Sequence, residues 1–162
     1  MTVSHYYMDT SSIFDLDAYG LIKRLRKVKI VLVQEVFNEI KNRNLKRRLV
    51  RIVTDRGPQK RAVFIPNLYS LDYGEKAIIT AMVCDQRYKK RRRIYVSNDA
   101  ATLEFVGMVP NYICENKMDT SEFIISMYKD DIVKIKDIHN VLSCTSRPPN
   151  KECRSRLERL IV

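Results

Sequence analysis

Glycine and proline are scarce in this chain of 162 residues, which contains four glycines and five prolines. Together with a hydrophobic content of 45%, that scarcity argues against disorder and against an architecture rich in linkers. Long apolar runs are lacking too, and the longest, such as 30–33, are far too short to span a bilayer. The N-terminal residues lack the basic and apolar regions of a signal peptide, so we expect a cytoplasmic protein without membrane association.

Cysteine pairs with metal-binding spacing are also absent, since the four cysteines stand at positions 84, 114, 144 and 153. We expect them to be buried free thiols in a reducing compartment, and a disulfide between Cys144 and Cys153 is an open alternative. A chain of this length buries enough surface to fold without a disulfide or a structural metal.

Acidic residues are outnumbered, with 19 Asp and Glu against 30 Lys and Arg, and the formal net charge is +11. Such an excess predicts a polyanionic partner. Nucleic acid is the first candidate, and an acidic protein or membrane surface is the second.

Short apolar runs alternate with amphipathic segments along the chain. We predict strands at 6–8, 30–33 and 94–96, a third short apolar run at 62–65, and a last strand at 112–114. The predicted helices cover 12–27, 34–55 with a break near 42–44, 75–84, 100–106, 120–128, 136–142 and 151–162. This alternation indicates a three-layer α/β/α fold with a central, mostly parallel, twisted sheet of four to five strands. We assign one domain to residues 1–142, followed by a linker and a short amphipathic helix at 143–162.

Four carboxylates stand near the junctions between predicted strands and the helices that follow them. Asp9 follows the first strand, Glu39 lies in the helix after the second, Glu75 opens a helix after the third apolar run, and Asp99 follows strand 94–96. In a parallel sheet these junctions lie at the same edge, where ligands bind. Converging carboxylates repel one another, and a divalent cation with a preference for oxygen ligands, Mg²⁺ or Mn²⁺, removes the conflict.

Each of these acids also has a purely structural interpretation. A carboxylate at the start of a helix caps it or stabilises its dipole, and for Glu39 alone we favour that interpretation. For the four together we favour a metal site that activates water for attack on a phosphodiester.

Four motifs, taken in order, resemble those of PIN domains, a ribonuclease fold found in toxin–antitoxin toxins and RNA-processing factors. They are Tyr7-Met8-Asp9-Thr10-Ser11, Val33-x-x-Val36-x-x-Glu39-Ile40, Leu71-Asp72-x-Gly74-Glu75-x-Ala77-Ile78 and Val96-Ser97-Asn98-Asp99. The resemblance covers about residues 5–142. Val33 stands where the family commonly has proline, and Asp72 is an alternative to Glu75 as the third acid.

The resemblance implies a Mg²⁺- or Mn²⁺-dependent endoribonuclease in which Asp9, Glu39, Glu75 and Asp99 bind the metal and position water. It implies supporting roles for the hydroxyls of Thr10 and Ser97, and Asp72 is a further supporting candidate. An antitoxin-like protein or a second copy of the chain is an expected partner, and we expect it on the apolar face of the C-terminal helix at 157–161.

Basic residues on the predicted helix that carries Glu39 are the expected contacts to RNA: Lys41, Arg43, Arg47, Arg48 and Arg51. The basic runs at 23–29 and 87–93 precede strands, so we expect them at the opposite edge of the sheet. Three other functions stay open: a nucleic-acid-binding module without catalysis, a structure-specific DNA nuclease, and an interaction-only role through the C-terminal helix.

Overall fold

A computed structural model describes residues 3–53, 71–85 and 91–162, and it has a three-layer α/β/α fold. The strands are β1 (Val3–Met8), β2 (Lys29–Val31), β3 (Arg91–Val96) and β4 (Asn116–Met118). The helices are α1 (Thr10–Ala18), a 3₁₀ helix (Ile22–Lys27), α2 (Gln34–Glu39), α3 (Arg43–Val50), α4 (Tyr73–Asp85), α5 (Ala100–Gly107), α6 (Thr120–Lys129), α7 (Ile135–Leu142) and α8 (Lys151–Glu158). The apolar run at 62–65 and most of the basic run at 87–93 lie outside the described residues.

The four described strands form one sheet in the order β2-β1-β3-β4, and every pair is parallel. Tyr7 of β1 pairs with Val31 of β2 on one side and with Tyr95 of β3 on the other. The predicted parallel α/β architecture is confirmed. All of the strands therefore end at the same edge, which is where the loops leading into the helices meet.

Both faces of the sheet are covered, as the alternation of side chains in β1 shows. The ring of Tyr6 packs edge-on against Phe123 of α6, with the centroids 4.9 Å apart. The next residue, Tyr7, points to the other face, where its hydroxyl donates a hydrogen bond of 2.6 Å to Asp85 at the end of α4. The buried core thus lies on both sides of β1, the strand before Asp9.

The predicted continuous helix at 12–27 is wrong. Gly20 has a φ of +71°, a left-handed conformation that glycine adopts without a steric penalty, and it follows the end of α1. The chain then continues as the 3₁₀ helix before β2.

The predicted break near 42–44 is confirmed, because α2 and α3 are separate helices. The side chain of Asn42 accepts a hydrogen bond of 3.0 Å from the backbone N–H of Leu45 and so caps α3. The basic residues of α3 are therefore not on the helix that carries Glu39, contrary to our expectation.

The predicted last strand at 112–114 is also wrong. Those residues form a turn in which the N–H groups of Ile113 and Cys114 bond to the carbonyl of Pro110. The edge strand instead occupies Asn116–Met118, three residues that show no run of apolar side chains. A short polar edge strand carries little sequence signal.

The C-terminal helix packs on the domain through its apolar side chains. Leu157 is fully buried, and Leu160 and Ile161 pack partly buried against the core. Arg156 reinforces the contact with an ion pair of 2.8 Å to Asp119, the cap of α6. The expected exposed apolar face at 157–161 is therefore wrong, since this face is covered by the chain itself.

None of the four cysteines, all of which are described, forms a disulfide, which excludes a bond between Cys144 and Cys153 in this structure. The expected burial is confirmed for Cys114 and is wrong for Cys84, Cys144 and Cys153, which are only partly buried. Within the described ranges, no helix is both long and apolar enough to cross a membrane.

Candidate active site

A cavity of about 470 Å³ opens at the edge of the sheet where β1 and β3 end. All four predicted metal ligands line it, namely Asp9, Glu39, Glu75 and Asp99, and Asp72 lines it as well. We call it the acid cavity. The remaining lining residues are Thr10, Ser11, Phe14, Val36, Gly74, Asn98 and Arg147.

Asp9 is the most enclosed of these acids, with 8% of its surface exposed. It caps α1, because one carboxylate oxygen accepts a hydrogen bond of 2.8 Å from the N–H of Ser12. Its other oxygen accepts a hydrogen bond of 2.5 Å from the hydroxyl of Ser97. Burial raises the pKa of Asp9 above its ordinary value, although the bonds from Ser97 and Ser12 act in the opposite direction.

Glu75 and Asp72 cap the start of α4 reciprocally. The N–H of Glu75 donates to Asp72 at 2.9 Å, and the N–H of Asp72 donates to Glu75 at 3.1 Å. The hydroxyl of Thr102 donates to the other oxygen of Glu75 at 2.5 Å. Burial raises the pKa of Glu75, and the charges of Asp72 and Asp99 raise it further, against the lowering effect of the Thr102 bond.

Glu39, the last residue of α2, reaches the cavity beside the start of α4. The hydroxyl of Thr10 donates a hydrogen bond to its carboxylate. A Cβ atom at Gly74 would lie 2.8 Å from the Oε1 atom of Glu39 and 3.3 Å from Val36. Because residue 74 is a glycine and has no Cβ atom, the Glu39 carboxylate can occupy this position.

Asp99 is exposed and caps α5 by accepting a hydrogen bond of 2.7 Å from the N–H of Thr102. This bond lowers the pKa of Asp99 below its ordinary value. The N–H of Asp99 donates to the hydroxyl oxygen of Ser97 at 3.1 Å, and that same hydroxyl donates to Asp9. Ser97 therefore connects two of the four acids.

Tyr95 is fully buried two residues before Ser97, and no described residue forms a hydrogen bond with its hydroxyl. Burial raises the pKa of Tyr95 well above its ordinary value, and the next largest cause is the charge of Asp9. The charges of Glu75, Asp72 and Asp99 raise it too. The negative charges of these four cavity residues thus all raise the pKa of the Tyr95 hydroxyl.

The acid cavity offers the hard oxygen donors that Mg²⁺ and Mn²⁺ prefer. As the side chains stand, each of the four predicted ligands accepts a hydrogen bond from a hydroxyl or a backbone N–H. Within the described ranges, no group of three or more His, Cys, Asp or Glu side chains is arranged to hold a metal ion. The type of donor fits a divalent cation, whereas this arrangement of the side chains does not form a complete ligand set.

The five basic residues predicted to contact RNA are all exposed, but none of them lines the acid cavity. Arg48 forms an ion pair of 2.7 Å with Asp17. It also lines a separate groove of about 230 Å³ together with Lys23 and Arg26 of the 3₁₀ helix. Two residues of the basic run at 23–29, which we expected at the edge of the sheet opposite the carboxylates, therefore share a surface with Arg48.

Arg93 is not available to contact nucleic acid, since only 4% of its surface is exposed. Its guanidinium donates to the carbonyls of Asp85, Tyr112 and Ile113 and forms an ion pair of 3.0 Å with Glu115. This part of the basic run at 87–93 joins β3 to the turn before β4.

Arg147 is the charged residue of the acid cavity that we did not predict from the sequence. It lies between α7 and α8, in a segment that we assigned as a linker. No periodicity or motif marks it. The proline pair after it predicts only that the helix is interrupted, so no signal in this single sequence could have identified it.

No model of a known protein family matches this chain, and no curated protein matches it either. The resemblance of the four motifs to PIN domains therefore remains a prediction.

Proposed function

We propose that this chain is a metal-dependent endoribonuclease that hydrolyses phosphodiester bonds of single-stranded RNA through a metal-activated water. One observation carries the proposal: four carboxylates from four separate segments line a single cavity in a protein with a net charge of +11. The positive charge attracts a polyanion. A concentrated acidic cavity opposes such a ligand unless a cation neutralises it, and a metal-dependent nuclease needs both features.

Asp9, Glu39, Glu75 and Asp99 are the residues that would hold Mg²⁺ or Mn²⁺. The ion, when bound, polarises the phosphoryl oxygen and lowers the pKa of a water molecule. Three hydroxyls orient the carboxylates that receive it, because Ser97 donates to Asp9, Thr102 to Glu75 and Thr10 to Glu39. The exposed cations in and on either side of α3 attract and align the RNA backbone: Lys41, Arg43, Arg47, Arg48 and Arg51.

The test is cleavage of a labelled single-stranded RNA in Mn²⁺ by the wild type and by Asp9→Asn. We expect the substitution to abolish cleavage while leaving the protein folded. Glu104→Gln is the matched control, since Glu104 is an exposed acid of α5 that does not line the acid cavity. Undiminished cleavage by Asp9→Asn would refute the proposal, and a flapped DNA in the same assay separates ribonuclease from structure-specific DNA nuclease activity.

The second candidate is a nucleic-acid-binding module without catalysis. It requires no ion in the acid cavity, where each of the four predicted ligands already accepts a hydrogen bond from a hydroxyl or a backbone N–H. Calorimetric titration with Mn²⁺ decides between the two: absence of metal binding together with retained affinity for RNA selects the non-catalytic module. For either function we propose a cytoplasmic location, which cell fractionation tests.

A further inference from the structure

The side chain of Arg147 is held in a defined orientation at the acid cavity. Its Nε atom donates a hydrogen bond of 2.5 Å to Oδ1 of Asp15 in α1. Its guanidinium carbon lies 5.8 Å from the centroid of the Phe14 ring, within the range of a cation–π contact. The side chain is nevertheless 42% exposed, so the guanidinium is anchored on one side and accessible on the other.

Asp15, which anchors Arg147, also ties down the segment that carries Asp99. Its second carboxylate oxygen accepts a hydrogen bond from the side-chain amide of Asn98, the residue before Asp99. The amide oxygen of Asn98 in turn accepts a hydrogen bond of 3.0 Å from the N–H of Thr120 at the start of α6. Asp15 is only 8% exposed. Three segments that are distant in the sequence therefore meet at one buried carboxylate, and Arg147 is part of that junction.

The charges around the acid cavity are unequal. Its described lining contains the five carboxylates named above and a single cation, Arg147. The ion pair between Arg147 and Asp15 is this same contact through Nε, and it directs one edge of the guanidinium at Asp15. A guanidinium presents a planar fork of donors, and the terminal nitrogens of such a fork match two oxygens of a phosphate.

We propose that Arg147 binds a backbone phosphate of single-stranded RNA at the acid cavity, so that the segment between α7 and α8 is part of the active site. The choice of ligand rests on the proposed nuclease function. The carboxylates alone repel the RNA backbone, and an arginine at their border supplies the opposite charge next to the position where a phosphodiester must lie. Arg147 is thus a substrate-binding residue, with Asp15 as its positioning residue.

A purely structural role makes a different prediction. If Arg147 served only as the counter-ion of Asp15, its removal would destabilise the fold and leave the affinity for RNA and its salt dependence unchanged. The salt dependence is informative, because log K falls as log salt rises. Each phosphate contact that is lost reduces the magnitude of this slope by about 0.7 for a single strand.

The experiment measures binding of a fluorescent single-stranded RNA by anisotropy over a series of salt concentrations, in EDTA so that no metal-dependent cleavage occurs. Arg147→Gln should weaken binding by about tenfold, the range for one charge-assisted contact, and should lower the slope by about 0.7. Arg159→Gln is the matched control, because it removes the same charge from an exposed position following α8 and should leave affinity and slope near those of the wild type.

Wild-type affinity and slope in Arg147→Gln would overturn the inference, and so would absence of RNA binding by the wild type. If Arg147→Gln does not fold, Arg147→Lys decides: it keeps the charge but loses the fork. Weaker binding with a retained slope then supports the inference, and wild-type affinity overturns it.

Failure of the proposed nuclease function gives a different set of results. Binding that depends on Arg147 without any cleavage in Mn²⁺ refutes the nuclease alone, whereas cleavage with RNA affinity that is indifferent to Arg147 refutes only this inference.

Discussion

Tyr7 and Tyr95 pair in register on neighbouring strands, and both are fully buried on the same face of the sheet. Their hydroxyls differ. Tyr7 donates to the buried carboxylate of Asp85 at 2.6 Å, whereas no described residue bonds to the hydroxyl of Tyr95. A buried polar group without a partner destabilises the folded state, while a hydrogen bond to a charged partner stabilises it.

Replacing each tyrosine by phenylalanine should therefore change stability in opposite directions. Tyr95→Phe should raise the free energy of unfolding by about 1 kcal/mol, because it removes an unpaired hydroxyl. Tyr7→Phe should lower it by about 1–3 kcal/mol, because Asp85 loses a donor. Urea denaturation of both variants in EDTA measures the difference, and a loss of stability in Tyr95→Phe would show that its hydroxyl does have a partner.

The raised pKa of Asp9 predicts that this residue makes the folded protein less stable as pH rises. Its raised pKa means that the folded protein keeps the proton up to a higher pH than the unfolded chain does. Stability therefore falls as pH rises from the unfolded-state pKa to the folded-state pKa. Asp9→Asn should be more stable than the wild type at pH 7 in EDTA, and the gain should disappear below about pH 4.

Asp99→Asn is the control of opposite sign. The N–H of Thr102 lowers the pKa of Asp99, so its contribution to stability is present above the unfolded-state pKa and is lost as pH falls through the folded-state pKa. This variant should be less stable than the wild type at pH 7, with the difference closing in acid. Thermal unfolding at several pH values tests both, and curves of the same sign for the two variants would contradict this assignment.

At the scale of elements, Gly74 sets how closely α2 approaches the start of α4. An added Cβ would contact the end of the flexible Glu39 side chain, so Gly74→Ala should change the free energy of unfolding by less than about 1 kcal/mol. It should still displace the Glu39 carboxylate and weaken both Mn²⁺ binding and RNA cleavage. Titration calorimetry measures the former.

Gly107→Ala is the matched control for Gly74→Ala. Its added Cβ would meet the end of the Lys117 side chain, outside the acid cavity, so Mn²⁺ affinity should not change. Equal Mn²⁺ affinity in Gly74→Ala and the wild type would remove Glu39 from the set of metal ligands.

Packing of α8 on the domain depends on Leu157. Because this side chain is fully buried, Leu157→Ala should lower the free energy of unfolding by about 2–5 kcal/mol. Leu160→Ala, at a partly buried position of the same segment, should lower it by less. Chemical denaturation measures both, and an unchanged midpoint for Leu157→Ala would mean that α8 is not a stable part of the fold.

Elements with strong local signals were predictable from the sequence. Helices α5 and α6 begin after aspartates whose side chains cap them, and this is a pattern that one sequence displays. The division of 12–27 depends on the left-handed conformation of Gly20, and β4 depends on pairing with β3. The end of α1 is local, because the N–H of Gly20 bonds to the carbonyl of Asp17 and that of Leu21 to Leu16, so the glycine itself was the available signal. The strand β4 cannot be derived from local periodicity, because its pairing is a tertiary contact.

At the scale of the whole molecule, the candidate site was predictable only where topology decides it. Once the sheet is parallel, Asp9 and Asp99, which follow β1 and β3, must lie at one edge. Glu39 at the end of α2 and Glu75 in the first turn of α4 reach the same cavity through the contact between those two helices. The place of Arg147 depends on how the segment after α7 folds back onto Phe14 and Asp15. Such a contact between distant parts of the chain leaves no local pattern.

Metal binding should stabilise the whole molecule if the acid cavity holds Mn²⁺. A ligand that binds only the folded state adds about 2.7 kcal/mol at a concentration one hundred times its Kd. The wild type should therefore melt at a higher temperature in Mn²⁺ than in EDTA, and Asp9→Asn should show a smaller increase. Differential scanning calorimetry measures the shift, and identical melting temperatures for the wild type with and without Mn²⁺ would count against the metal site.

The position of β1 in the middle of the sheet has a consequence for folding. Both of its neighbours come later in the chain, and β3, which pairs along its whole length, is separated from it by four α-helices of the described chain and the 3₁₀ helix. Closing so long a loop costs entropy before any pairing energy is gained, which slows folding. Asp9 and Asp99 can approach each other only after that step, so a refolding chain should regain its helical signal earlier than its capacity to bind metal.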